Sequence, residues 1–275
     1  LVGSEMCIRD RGYALRIGIP IVPHYLSGII LNQGDRIMID KMVGKTEVAL
    51  YGLAYSIGML VQLFISGMNS ALTPWMYSKI KKGDIRSMRK VLQLLSIVVV
   101  GIAVALMLIS PELVLIFGSP KYREAVYVIP PVAASVFFIF IYNILSMPQF
   151  YYEKTQFLMA ASMAAAGANV VLNFIFIRLF GYIAAGYTTL ACYMLYSVGH
   201  YIVSKRILVN EGIQENLMNP GFLLACSVFL IGASIICNLI FPYRILRYAI
   251  LLASAGLVFW KKELLLKTMA DIRKK

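Results

Sequence analysis

The stretch IGIPIVPHYLSGIILNQGDRIMIDKMVG, residues 17–44, decides the fold. Between Ile17 and Gly34 it holds no Lys, Arg, Asp or Glu, and apolar side chains dominate. A helix rises about 1.5 Å per residue, so about 20 such residues cross a hydrocarbon layer of about 30 Å. The run is not uniformly apolar. At about 100° per residue, His24, Gly28, Asn32 and Asp35 fall within roughly 80° of arc, with Arg36 about 40° beyond. Charge inside a bilayer costs about 2.5–3.5 kcal/mol on insertion scales and turns towards a cavity or a partner. One reading is therefore a helix that lines a hydrated lumen. The other places Asp35 about 27 Å along the helix, at the far interface, as an ordinary helix-end charge. Pro20 and Pro23 remove backbone donors and loosen the entry turns, which favours the lumen.

Outward from this segment, long apolar runs recur. The chain of 275 residues is 60% hydrophobic and 14% charged, with a mean hydropathy of +0.78. Soluble domains are nearer 45–50% apolar and about 25% charged, so this composition predicts an all-α integral membrane protein. Eight spans are expected, at 17–40, 48–73, 91–116, 126–149, 156–178, 183–204, 221–241 and 244–260. The loops between them leave no room for a soluble domain.

The opening letters LVGSEMCIRDRG, 1–12, do not fit that pattern. They lack the apolar core of a secretory signal. Read as codons, EMCIRDR resembles a translated transposon-end adapter, so residues 1–11 are set apart from the fold as an artefact; a native polar arm is the other reading. The net charge of +13 points to basic cytoplasmic loops and anionic lipid rather than to nucleic acid. Sixteen lysines and arginines gather on one expected side, chiefly in 79–90, 205–206 and 261–275, against seven on the other. Both ends and the 78–90 loop are thus expected in the cytoplasm, with KKELLLKTMADIRKK, 261–275, as an amphipathic helix or a frayed tail. Cys192, Cys226 and Cys237 sit in apolar runs without CxxC spacing and read as small core residues.

Further polar groups enter the other spans. Gln62, Ser66 and Asn69 share one side of the second, followed by Trp75 and Tyr77 as interfacial anchors. Tyr142, Asn143 and Gln149 lie in the fourth. Ala160, Ala164 and Ala168 mark close helix packing in the fifth, where Asn169 and Asn173 share a face. His200 is expected at the cytoplasmic interface. No GxSxG elbow, HExxH helix, P-loop or Rossmann fingerprint occurs, and the two histidines are far apart. No metal or cofactor set is implied. Short-looped helices with scattered intramembrane polar groups suit a secondary transporter rather than an enzyme.

Four segments add a resemblance: 18–58, GIPIVPHYLSGIILNQGDRIMIDKMVGKTEVALYGLAYSIG; 71–84, ALTPWMYSKIKKGD; 110–132, SPELVLIFGSPKYREAVYVIPPV; and 180–193, FGYIAAGYTTLACY. Together they resemble the oligosaccharide-lipid flippases of the polysaccharide transport family, within the multidrug, oligosaccharidyl-lipid and polysaccharide exporter superfamily. The resemblance implies two six-helix bundles related by pseudo-symmetry. On it, residues 12–210 match the second bundle and 211–275 hold two trailing helices and a basic tail, the first bundle being absent. It also implies the activity, flipping an undecaprenyl-diphosphate-linked oligosaccharide across the bacterial cytoplasmic membrane. Asn32, Asp35 and Arg36 then fall at lumen positions, joined by His24, Asn69, Asn143 and Asn173. The implied partners are the lipid-linked oligosaccharide, membrane lipids and other polysaccharide-assembly membrane proteins. A drug or cation exporter of the same superfamily, and a scaffold that does not transport, are the competing readings.

Overall fold

Glycines, prolines and one capping acid set where the chain turns. The computed structural model describes residues 2–260, and the tail at 261–275, with its expected amphipathic helix, lies outside the described residues. Helices follow in order as α1 (Val2–Met42), α2 (Lys45–Gly58), α3 (Val61–Lys82) and α4 (Ile85–Phe117). After a 3-10 segment at Pro120–Val128 come α5 (Ile129–Tyr151), α6 (Thr155–Phe180), α7 (Ile183–Asn210), α8 (Pro220–Ile240) and α9 (Arg244–Trp260). No strand occurs among the described residues, and the chain is an all-α integral membrane protein. α1 begins at Val2, so the backbone of the opening stretch is helical; the side chains of 1–10 lie outside the described residues.

The α3–α4 turn shows how local sequence acts. Gly83 closes α3 at φ 69°, a left-handed conformation that glycine adopts without strain. Asp84 then caps α4, its Oδ1 accepting the Ser87 N–H at 3.3 Å, while Lys79 Nζ donates to its Oδ2 at 2.7 Å. Asn219 caps α8 in the same way ahead of Pro220.

α5 is the centre of the bundle. Every residue from Ile129 to Ile141 is buried, which explains its unbroken apolar sequence. α3, α4, α7 and α8 pack around it, while α1 lies along α6 and α9 against α4. The α4–α9 contact is held by an ion pair, with Arg247 donating to both Glu112 oxygens at 2.8 Å and to Leu108 O at 2.6 Å.

Three expectations are corrected. The span expected at 48–73 is two helices, α2 and α3, bent by 42°. At the break the backbone changes to i→i+3 bonds, Leu60 N to Ile57 O and Gln62 N to Met59 O, which tighten the ladder and turn it. Among the described residues, five helices are long and apolar enough to cross a membrane, or six with α2–α3 as one bent span, against the eight expected. α9 has 17 residues, and α7 carries the polar residues Thr188, Thr189, Ser197, His200 and Ser204. Finally, Ala160 and Ala164 are exposed. Close approach of α6 to α7 uses the next row instead, where a Cβ on Gly199 would lie 3.9 Å from that of Ala161. Cys192 and Cys237 are buried and Cys226 half-buried, all three free.

Candidate functional site

Polar residues of α1 divide between two places. The first is an open groove of about 500 Å³ between α1, α5 and α7. His24, Asn32 and Gln33 line it from α1, Tyr142 and Asn143 from α5, and Tyr193 and Tyr196 from α7. Asn32 sits in the middle. Its Nδ2 donates to Gly28 O at 2.7 Å, and its Oδ1 accepts from Tyr55 Oη at 2.8 Å and Tyr193 Oη at 3.3 Å. Tyr142 lies parallel to Tyr193, ring centroids 6.3 Å apart, and 4.5 Å from Tyr196. Tyr196 Oη is 3.1 Å from His24 Nδ1. Asn143 turns its amide back to Ile139 O at 2.8 Å. None of the described residues lining the groove is a carboxylate.

Arg36 flanks this groove. Its Nη1 donates to Gln33 Oε1 at 3.0 Å, and its guanidinium carbon stands 5.3 Å from the centre of the Tyr55 ring. Its Nε is enclosed without a hydrogen-bond partner.

The second place is closed. Asp35, one residue before Arg36, is fully buried. Asn173 Nδ2 of α6 donates to its Oδ1 at 2.6 Å, and Thr189 Oγ1 of α7 to its Oδ2 at 2.7 Å. Tyr51 Oη of α2 also donates to Oδ2. Asn173 in turn donates to Asn169 Oδ1 at 3.1 Å and accepts from Thr188 Oγ1. Only donors meet the carboxylate, the set it needs once removed from water. Of the residues expected to face a lumen, then, His24, Asn32 and Asn143 line one groove and Arg36 stands beside it. Asp35 and Asn173 lie in the buried cluster. Asn69 is on α3, outside the groove lining, with its Oδ1 enclosed and unpartnered.

His200 is not at an interface. It is fully buried, 2.7 Å through its Nδ1 from Gln149 Nε2, with the Tyr196 ring edge-on at 4.5 Å. A signal for this wall of the site was present in α7. Thr189, Tyr193, Tyr196 and His200 recur at steps of four and three, which is one polar helix stripe. Tyr51 and Tyr55 repeat the pattern on α2. No group of three or more His, Cys, Asp or Glu among the described residues is placed to hold a metal ion.

The comparisons with known proteins accord with this architecture. An Lsg locus protein of Haemophilus influenzae is 29% identical over 159 residues, covering 55% of this chain and 38% of its own length. An uncharacterized membrane protein of the same organism is 30% identical over 152 residues, 52% of this chain and 36% of its own. The chain thus spans less than two-fifths of these relatives. No solved structure matches. Residues 20–175, which include the groove residues of α1, Asp35 with its partners Tyr51 and Asn173, and all of α5, match the MatE family, a family of membrane exporters, and the chain belongs to it.

Proposed function

We propose that the chain forms one wall of a flippase that moves an undecaprenyl-diphosphate-linked oligosaccharide across the bacterial cytoplasmic membrane. The lining of the groove carries this reading. Tyrosine rings at Tyr142, Tyr193 and Tyr196 and amides at Asn32, Gln33 and Asn143 suit neutral sugars, which offer hydroxyls to amides and C–H faces to rings. Arg36 supplies a permanent cation beside them, with a planar fork that suits a diphosphate. A cationic drug would need an acid facing the groove. Asp35 does not face it, since its oxygens are occupied by Tyr51, Asn173 and Thr189.

The test is binding to the purified chain in lipid nanodiscs, with a short undecaprenyl-diphosphate oligosaccharide and a cationic dye compared. Tyr142→Ala should weaken the glycolipid about tenfold, the scale of one lost aromatic contact of about 1.5 kcal/mol. Arg36→Gln should weaken it further and, in cells carrying the whole protein, lower surface glycan without lowering the amount of protein in the membrane. Binding of the dye with no binding of the glycolipid would support the drug exporter. Glycolipid bound but not moved in a flipping assay would support the scaffold.

A further inference from the structure

A second groove faces outward along another side of α7. Its volume is about 270 Å³, and α5, α7 and α8 line it with Phe138, Ile141, Val198, Tyr201, Leu224 and Ser227 among others. Val198 and Leu224, on its rim, are 54% and 66% exposed, so it opens to the surroundings rather than to the bundle interior. In a membrane protein those surroundings are lipid chains.

One mouth of this groove is basic. Tyr201 and Pro220 line that end. Ser197, Tyr201 and Lys205 form one row of α7 at four-residue steps, so the exposed Lys205 stands a turn beyond the groove. Arg89 reaches the same corner from α4, its Nε donating to Asn216 O at 2.7 Å and its Nη2 lying 3.5 Å from Glu215. Arg86 is 3.3 Å from the same glutamate, with 78% of its side chain exposed. Arg86, Arg89 and Lys205 thus stand at this mouth with Glu215, which both arginines share. The Tyr201 hydroxyl is enclosed there without a hydrogen-bond partner.

An apolar slot open to the bilayer and ending in net positive charge complements one kind of molecule. We propose that the groove seats an anionic phospholipid of the surrounding membrane, one acyl chain against α5, α7 and α8 and the phosphate at Lys205 and Arg89. Attraction of an anionic headgroup to basic residues at the membrane surface supplies selectivity, and the slot supplies a defined position. This site is separate from the α1–α5–α7 groove and does not depend on its substrate.

Native mass spectrometry of the purified chain in detergent, titrated with phosphatidylglycerol or phosphatidylcholine of identical chains, tests it. The first phosphatidylglycerol should bind about fivefold more tightly than phosphatidylcholine, the effect of about one basic residue. Lys205→Gln, an exposed position, should erase that difference and leave phosphatidylcholine unchanged. Ser227→Trp, which fills the slot, should remove the first binding event for both lipids, with helicity by circular dichroism equal to that of the parent. Equal affinity for the two lipids would overturn the proposal. So would undiminished phosphatidylglycerol selectivity in Ser227→Trp, which would mean surface charge alone. Undecaprenyl phosphate binding where phosphatidylglycerol shows no preference would also overturn it, assigning the slot to the transported lipid.

Discussion

Asp35 and Arg36 are neighbours with separate tasks. The Asp35 carboxylate accepts from α2, α6 and α7 at once, so it ties four helices together. Interhelical hydrogen bonds in membranes average about 0.6 kcal/mol and reach about 1.7, and losing a partner here strands a buried charge as well. Thr189→Val should therefore lower stability by about 1–2 kcal/mol, read as a lower melting temperature of the purified protein in detergent. Asp35→Ala should lower it more, because Tyr51, Asn173 and Thr189 all lose their acceptor. Arg36→Gln should leave the melting temperature unchanged, since the side chain holds only Gln33 and a ring face. A drop with Arg36→Gln equal to that with Asp35→Ala would join the two into one structural network. The helical period placed both residues on the polar side of α1. It did not show on which flank each would find its partners.

The α2–α3 break belongs to the scale of the element. Gly58 ends α2 where α5 comes closest, and a Cβ there would lie 2.7 Å from Val132 Cγ1 and 2.9 Å from its Cβ. The second of these atoms cannot swing away, so Gly58→Ala should cost about 1–3 kcal/mol by overpacking. Val132→Ala should restore most of that loss in the double mutant, a coupling measured by thermal unfolding of the four proteins. Additive losses would mean that Gly58 acts through backbone freedom rather than through this contact. The run at 48–73 carries Gly58 at the bend, but the residue that glycine must accommodate, Val132, lies on α5 and far along the chain.

At the scale of the whole molecule, charge is divided between the two ends. Lys81, Lys82 and Arg86 are exposed at the α3–α4 turn, and Lys205 and Arg206 near the end of α7, while Lys121 and Arg123 stand at the other end of the bundle. Positive residues are retained on the cytoplasmic side during insertion. A membrane-impermeant thiol reagent added to intact cells should therefore label Lys121→Cys and spare Lys82→Cys until the cells are opened. The reverse pattern would invert the proposed orientation.

Composition and spacing by themselves determined that the chain crosses a membrane as helices, because a hydrocarbon layer excludes unsatisfied backbone and a 60% hydrophobic chain cannot stay in water. Local sequence also sets the α3–α4 turn and the start of α8, since Gly83, Asp84 and Pro220 act within a few residues of themselves. Sequence spacing also placed His24, Asn32 and Asn143 on polar faces. Only the tertiary structure decided that these three share one groove with Tyr142, Tyr193 and Tyr196, that Asp35 is enclosed, and that His200 is buried on Gln149. A period of 3.6 residues fixes the direction of a side chain from its own axis. What it meets there depends on helices more than a hundred positions away, as Asn173 and Thr189 are from Asp35.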